Sequence, residues 1–450
     1  MQENQNTVTV DEEVLPLPLE KRTLGLPGNF AIWFACNLVT TTMLTGMLFI
    51  PGITFAVALK AIVIGCVIGI IPLVLIGVIG QKTGLVTMVA ARATFGTKGA
   101  VLPSMINLMI LIAWSWAQAG LGGLALNHGV MTLTGWSAPT FWIIFCEVFV
   151  VLVALYAIKG IALYEKVAMV LIAGIMGAVI FKAITVTGLD NIFAIEALVT
   201  EESVTAMVAF DIVVATALSW TVMGADYNRN CKTLGATVIG TGAGWALGTI
   251  LSMGSGALMV GMIIARGLSL SYEPSLVFDE IGFGLAGSVV IFMSIVAANV
   301  MCVYSSTMSF LNTFPKFSYK KVALVIGAIC VVGAVYSGIL DRFLQFVGLI
   351  GVMFLPIFAI MIADFFVIQK CKYNIDAVVY PDRDKQYYYS KGYNLKAIGV
   401  FCFAAAFSFY FTLVNTVPFG EIIPIGATIP TFFVAFFGYI IVMKLTAKNA

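Results

Sequence analysis

The sequence predicts an all-α membrane protein with twelve transmembrane helices. Three observations carry that prediction. Of 450 residues, 61% are hydrophobic and only 10% charged, and the mean hydropathy is +1.04, well outside the range of a soluble globule. The apolar residues gather into twelve runs close to the roughly 20 residues that a helix needs to cross a bilayer core. With the N-terminus placed in the cytoplasm and the spans alternating, twenty of the 24 Lys and Arg residues fall on the inner side. Only Lys60, Lys182, Arg266 and Arg342 fall outside, and an odd number of spans would destroy this asymmetry.

Residues 1–27 are polar and acidic and read as a cytoplasmic tail. They hold no short apolar core before a small-residue cleavage site, so no signal peptide is expected. The membrane unit, 28–445, follows, with spans at 28–54, 57–80, 101–127, 139–158, 163–186, 203–224, 235–264, 283–313, 321–339, 343–369, 395–416 and 422–443. The first five spans (28–186) and the next five (203–369) form two groups, 395–443 adds two helices, and 446–450 is a cytoplasmic end. Each five-span group opens with a helix interrupted by polar residues, Asn37 to Thr42 in span 1 and Thr216 to Ser219 in span 6. Interrupted helices at matching places in two halves point to a transport site. The plainer reading is that Ser and Thr inside a membrane helix bond the preceding turn.

Ser203 to Cys231, around span 6, is the most distinctive stretch. Asp211 lies inside the apolar run, where a carboxylate is costly unless buried, paired or wet. The run Thr216-Ala217-Leu218-Ser219-Trp220 puts two hydroxyls and an indole near mid-membrane, and Asp226 and Arg229, three apart, mark a charged exit. The 371–394 loop carries YPDRDKQYYYSKGY and is expected to be an interfacial loop with aromatic anchors.

Several functions are excluded. A net charge of +2 gives no sign of a nucleic-acid partner. The eight cysteines form no C-x-x-C pair and read as packed thiols, neither disulfides nor a metal site. A membrane-embedded enzyme would call for metal-ligand or phosphate-binding spacing, yet there is one His, no H-E-x-x-H and no P-loop. A channel would want a repeated pore motif. What remains is a secondary transporter in the cell membrane, with no cofactor and with a small solute and the lipid bilayer as its partners; the oligomeric state is open.

Between spans 2 and 3 the chain reads IGQKTGLVTMVAARATFGTKGAVLPS, Ile79 to Ser104. The combination of G-x-K-T-G-L, A-R-x-x-F-G-x-x-G and L-P-S resembles the cytosine permeases and the wider nucleobase:cation symporter-1 family. Ala225 to Arg229 (A-D-Y-N-R) and Ile362 to Asp364 (I-A-D) are similar to the family's exits from spans 6 and 10. The resemblance implies a leucine-transporter-like fold, two inverted five-helix repeats plus two C-terminal helices, with helices 1 and 6 broken at mid-membrane. It implies import of a nucleobase such as cytosine or a purine, or a related heterocycle, by alternating access coupled to a cation. The alternative is a solute of the hydantoin, allantoin or thiamine-precursor type with proton coupling.

The same resemblance supplies site residues. Trp114 matches the family's ring-stacking tryptophan, and Gln118, one turn on, offers an amide donor and acceptor. Trp-x-x-x-Gln matches the hydantoin-transporting branch, whereas the glutamine that cytosine permeases place three residues before the tryptophan is Leu111 here. Trp116 projects elsewhere, toward lipid or a helix. The second stacking aromatic is replaced by Ala217, which leaves Trp220 to supply that face or the pocket roomier there. Thr216 and Ser219 match serines near the solute. Asn299 matches an asparagine near the solute, with bonding between helices as the plainer role. For the cation, main-chain carbonyls at Ala35 and Leu38 are retained, but two span-8 hydroxyls are Ala297 and Ala298, leaving Ser294. Sodium is therefore expected to bind weakly, and a proton carried by a membrane carboxylate is the other choice, with Asp211 first and Glu147 also of interest. For Asp211 the plainer reading is a hydrogen bond to a neighbouring helix.

Overall fold

A computed structural model describes residues 15–156, 158–198, 203–314, 317–336, 338–380, 384–414 and 426–447. Most of the expected N-terminal tail, the first residues of the last span and residues 448–450 lie outside the described residues. Among the described residues the regular elements of the chain are helices. Its helices, in order, are α1 (Leu26–Asn37), α2 (Thr40–Met47), α3 (Phe55–Thr83), α4 (Thr87–Phe95), α5 (Val101–Thr134), α6 (Pro139–Tyr156), α7 (Ile158–Lys182), α8 (Leu189–Phe193), α9 (Ala206–Thr221), α10 (Gly224–Asn228), α11 (Leu234–Ala265), α12 (Pro274–Glu280), α13 (Gly284–Thr313), α14 (Tyr319–Tyr336), α15 (Phe343–Ala363), α16 (Ile375–Val379), α17 (Leu395–Val414) and α18 (Thr428–Ala447). Among the described residues, nine helices are individually long and apolar enough to cross a membrane; α1 and α2, bent by 55°, make a tenth. Helices α6 and α9 are apolar but shorter.

The first break falls at Leu38–Val39, inside the Asn37-to-Thr42 interruption read from the sequence. Leu38 leaves helical backbone (φ −79°, ψ 64°) and Val39 is extended. The second interruption lies elsewhere than expected. Thr216 donates to Ile212 O (2.9 Å) and Ser219 to Thr216 O (2.7 Å), so both hydroxyls are absorbed by their own helix. Helix α9 runs unbroken through them and stops only at Val222–Met223, before α10.

Small residues on α11 let the broken helix approach. Gly240, Gly244, Gly248, Ser252 and Gly256 repeat every four residues and so share one face. A Cβ on Gly244 would lie 2.5 Å from Phe30 O and one on Gly248 2.6 Å from Phe34 O, while one on Gly256 would overlap Met43 O. Ser252 stands where the break passes and donates its hydroxyl to Val39 O (3.2 Å). Polar groups fix the register of α1 on α10 and α11. Asn29 Nδ2 lies 3.0 Å from Asn228 Oδ1, 3.0 Å from Thr241 Oγ1 and 2.9 Å from Ala236 O.

The charged exit after α9 serves to tie helices together. Asp226 accepts from the Thr87 amide (2.6 Å), capping α4, and Thr87 Oγ1 accepts from the Ala225 amide (3.1 Å). The 371–394 loop differs from the interfacial loop expected. Tyr387 is 1% exposed and Tyr373 8%; Tyr389 donates to Ala93 O (2.8 Å). A buried carboxylate, Asp364, draws the Tyr373 hydroxyl inward: it accepts from Thr94 (3.2 Å), Tyr373 (2.9 Å) and, from α18, Tyr439 (2.9 Å), while the Tyr387 hydroxyl accepts from the Asn374 amide (3.1 Å). Burial pushes Tyr389 above the ordinary tyrosine range, so the hydroxyl stays a donor.

Candidate functional site

Four helices meet around an internal cavity at the first break. From the break and α2 come Val39, Thr41, Thr42 and Thr45; from α5, Leu111, Trp114 and Gln118; from α9 and just beyond, Thr216, Ser219, Trp220 and Met223; from α13, Ala298, Met301 and Cys302. The cavity holds about 40 Å³, room for a few water molecules, so a planar ring enters only when the walls part.

Helical spacing explains which side chains arrive. Leu111, Trp114 and Gln118 stand at i, i+3 and i+7 on α5; Thr216, Ser219, Trp220 and Met223 follow the same rule across the end of α9. The Trp114 indole is held by the edges of Phe343 and Phe346 on α15, with ring centroids 5.8 and 5.1 Å away, in the edge-to-face arrangement that aromatic quadrupoles favour. Gln118 is 4% exposed. Its Nε2 donates to Cys302 Sγ (3.2 Å), and its Oε1 has no partner among the described residues. The wall therefore offers two indoles, hydroxyl oxygens and a buried amide oxygen. That is a surface for a flat, neutral solute with an N–H to donate.

The structure thus gathers Trp114, Gln118, Thr216, Ser219 and Trp220 at one cavity. Ala217 is turned away: a Cβ on Gly69 of α3 would lie 2.8 Å from its own Cβ, so it serves close helix packing. Asn299 does not line the cavity. It is fully buried and donates to Glu147 Oε2 (2.6 Å), while Ser115 donates to Glu147 Oε1 (2.8 Å); the bond between helices is the role seen. Trp116 faces a helix, donating to Ile329 O of α14 (3.3 Å). Thr41, Thr42, Thr45, Met223, Met301 and Cys302 were not picked out from sequence as site residues. The hydroxyl run Thr40–Thr42, already visible as the interruption of span 1, was the signal for the first of them.

At the break, Ala35 O accepts from the Leu38 amide (3.1 Å), and Ser294 Oγ, fully buried on α13, accepts from the Thr40 amide (3.1 Å). Ser294 thus meets the chain just past the break, at Thr40, while Ala35 and Leu38 bond each other at the end of α1. Asp211 does not join them. Its carboxylate lies against Gly426, beside the start of α18, where a helix favours negative charge. Among the described residues no group of three His, Cys, Asp or Glu is placed to hold a metal.

Comparison with known proteins agrees with this architecture. The chain is 23% identical over 418 residues to the hydantoin permease of Microbacterium maritypicum, covering 88% of this chain and 83% of the relative. It is 25% identical over 353 residues to the cytosine permease of Escherichia coli (strain K12), covering 78% and 80% respectively. The solved structure of Mhp1 in an inward-facing conformation superposes with a TM-score of 0.85 at 19% identity, covering 98% of this chain and 94% of that one. The pattern of a family described as permeases for cytosine/purines, uracil, thiamine and allantoin matches residues 16–437. A chain with this breadth of match and this helical fold belongs to that family, the nucleobase:cation symporter-1 transporters.

Proposed function

We propose that this transporter imports a planar, neutral heterocycle bearing an amide-like edge, held between Trp114 and Trp220 with its N–H groups directed at Gln118. Thr216 and Ser219 offer hydroxyl oxygens at the ring's rim, and Ala217 and Asn299 support the walls. The observation that carries the reading is the convergence of two indoles and the unpartnered Gln118 oxygen on one cavity. Leu111 in place of a second amide favours a solute of the hydantoin type over cytosine; the relative named hydantoin permease fits that preference. The architecture proposed is twelve spans, counting α6 and the α9–α10 pair. Residues 28–186 and 203–369 are the two inverted repeats, 395–443 are the extra pair, and both termini are cytoplasmic, as the distribution of Lys and Arg implies.

The driving ion is proposed to be the proton. Ala297 and Ala298 carry no side-chain oxygen, and Ser294 Oγ already accepts the Thr40 amide, so a sodium ion at the break would rely on backbone carbonyls. Uptake of radiolabelled cytosine, uracil, adenine, hypoxanthine, hydantoin and allantoin by cells expressing the chain tests the solute. At least one is expected to accumulate, and Trp114→Ala is expected to weaken its affinity about tenfold, roughly 1.4 kcal/mol. Accumulation of none, or equal accumulation by the variant, overturns the proposal. Varying sodium and pH separately tests the ion; uptake that needs sodium and ignores pH overturns the proton.

A further inference from the structure

Directly behind the cavity wall lies a second polar cluster, and it contains a carboxylate. Trp114 faces the cavity and the next residue, Ser115, faces away; on α13, Ala298 faces the cavity and Asn299 faces away. Both outward-turned groups meet Glu147 of α6, which is 0% exposed, as are Ser115 and Asn299. Ser115 Oγ donates to one carboxyl oxygen (2.8 Å) and Asn299 Nδ2 to the other (2.6 Å). The titratable groups facing it are thiols: Cys146 on α6 itself, Cys302 on α13 and Cys330 on α14. From α5 the facing group is the Ser115 hydroxyl. Among the described residues, no Lys, Arg or His pairs with Glu147.

An unpaired carboxylate deep in a membrane protein is costly, and such a group is either neutral or held for a function. Glu147 has the equipment for both states. Asn299 Oδ1 has no partner among the described residues, so rotation of the amide breaks no bond of that oxygen and gives up, besides the bond to Glu147, only the long contact of Nδ2 with Ser115 O (3.5 Å). With its NH2 toward Glu147 the amide donates to a carboxylate; with its carbonyl toward Glu147 it accepts from a carboxylic acid O–H. The helices that would register the exchange, α5 and α13, are those that carry Trp114, Gln118, Ala298 and Cys302.

Resting on the proposed symport, we propose that Glu147 is the site that carries the coupling proton. The proton binds one carboxyl oxygen of Glu147 from the outer side, its O–H donating to the Asn299 carbonyl, and leaves to the inner side after the walls rearrange. No other bond forms or breaks. Asp211, engaged by the start of α18 on the far side of α9, then has a structural task.

The test uses the purified full chain in proteoliposomes, with a solute found by the uptake panel. In the wild type, an inward-directed pH gradient should drive accumulation above the equilibrium level without sodium. Glu147→Gln should lose that accumulation and still exchange labelled for unlabelled solute, which needs no net proton movement. Ser115→Ala, a small change expected to fold, removes a donor that favours the carboxylate. Its pH profile of driven uptake should move to the alkaline side by about one unit. Gradient-driven accumulation by Glu147→Gln, or an unmoved profile in Ser115→Ala, overturns the inference. Accumulation driven only by sodium in the wild type overturns it and leaves the heterocycle transporter intact. A wild type that neither binds nor exchanges any heterocycle sinks the transport reading itself, and this inference with it.

Discussion

At the scale of single residues, the chain separates polar groups that face the solute from polar groups that hold helices together. Gln118 and Asn299 look alike in the sequence, each an amide in an apolar helix. Each leaves its oxygen unpartnered among the described residues, but Gln118 lines the cavity, whereas Asn299 lies behind the wall and donates to Glu147. Sequence spacing groups residues by face but does not say which face looks inward. This is why Trp114, Gln118, Thr216, Ser219 and Trp220 could be read together while Ala217, about 100° around α9 from Thr216, turned out to pack on Gly69. Asp364 shows the cost of the structural class. Three hydroxyls converge on it, so Asp364→Ala strands them in a dry interior and is expected to cost about 2 kcal/mol or more. Thermal unfolding of the detergent-purified protein should fall by several degrees, whereas Tyr439→Phe, removing one donor of three, should fall less.

At the scale of elements, the decisive feature is the small-residue face of α11. The 43 glycines of the sequence fit close helix approach, but composition does not say which helix receives the broken one. The four-residue spacing of Gly240, Gly244, Gly248, Ser252 and Gly256 does, once α1 and α2 are seen lying along it. Gly248→Leu is expected to push α1 away at Phe34 and cost about 1–3 kcal/mol by overpacking, with uptake falling further than stability because the displaced segment ends at the break. Ser252→Ala should leave packing intact and release Val39 O, costing about 1 kcal/mol; parallel unfolding and uptake curves distinguish the two. The breaks themselves were half legible. Span 1 breaks inside its polar interruption, whereas span 6 breaks at Val222–Met223, between Thr221 and Gly224 and beyond the Thr216-to-Ser219 run.

At the scale of the whole molecule, hydropathy alone located the apolar runs, because a bilayer demands length and apolarity whatever the packing. It could not foresee the connections. The helix Thr87–Phe95 and the buried tyrosines of the 371–394 loop form where no span was expected, packed into the core and tied by bonds to Asp226, Asp364 and Ala93 O. The last two helices are the plainest case. By hydropathy they look like an appendix to a ten-helix machine. Yet the segment that leads into α18 packs on Asp211, and α18 supplies the phenol of Tyr439 to Asp364. A shortened chain stopped at Asn394 would therefore bare one carboxylate to lipid and leave the other short of a donor, and its yield in membranes should collapse. Neutralising both acids, by Asp211→Asn and Asp364→Asn, should restore part of it. Anyone seeking a minimal version of this carrier must first rewrite the two acids that its tail end keeps quiet.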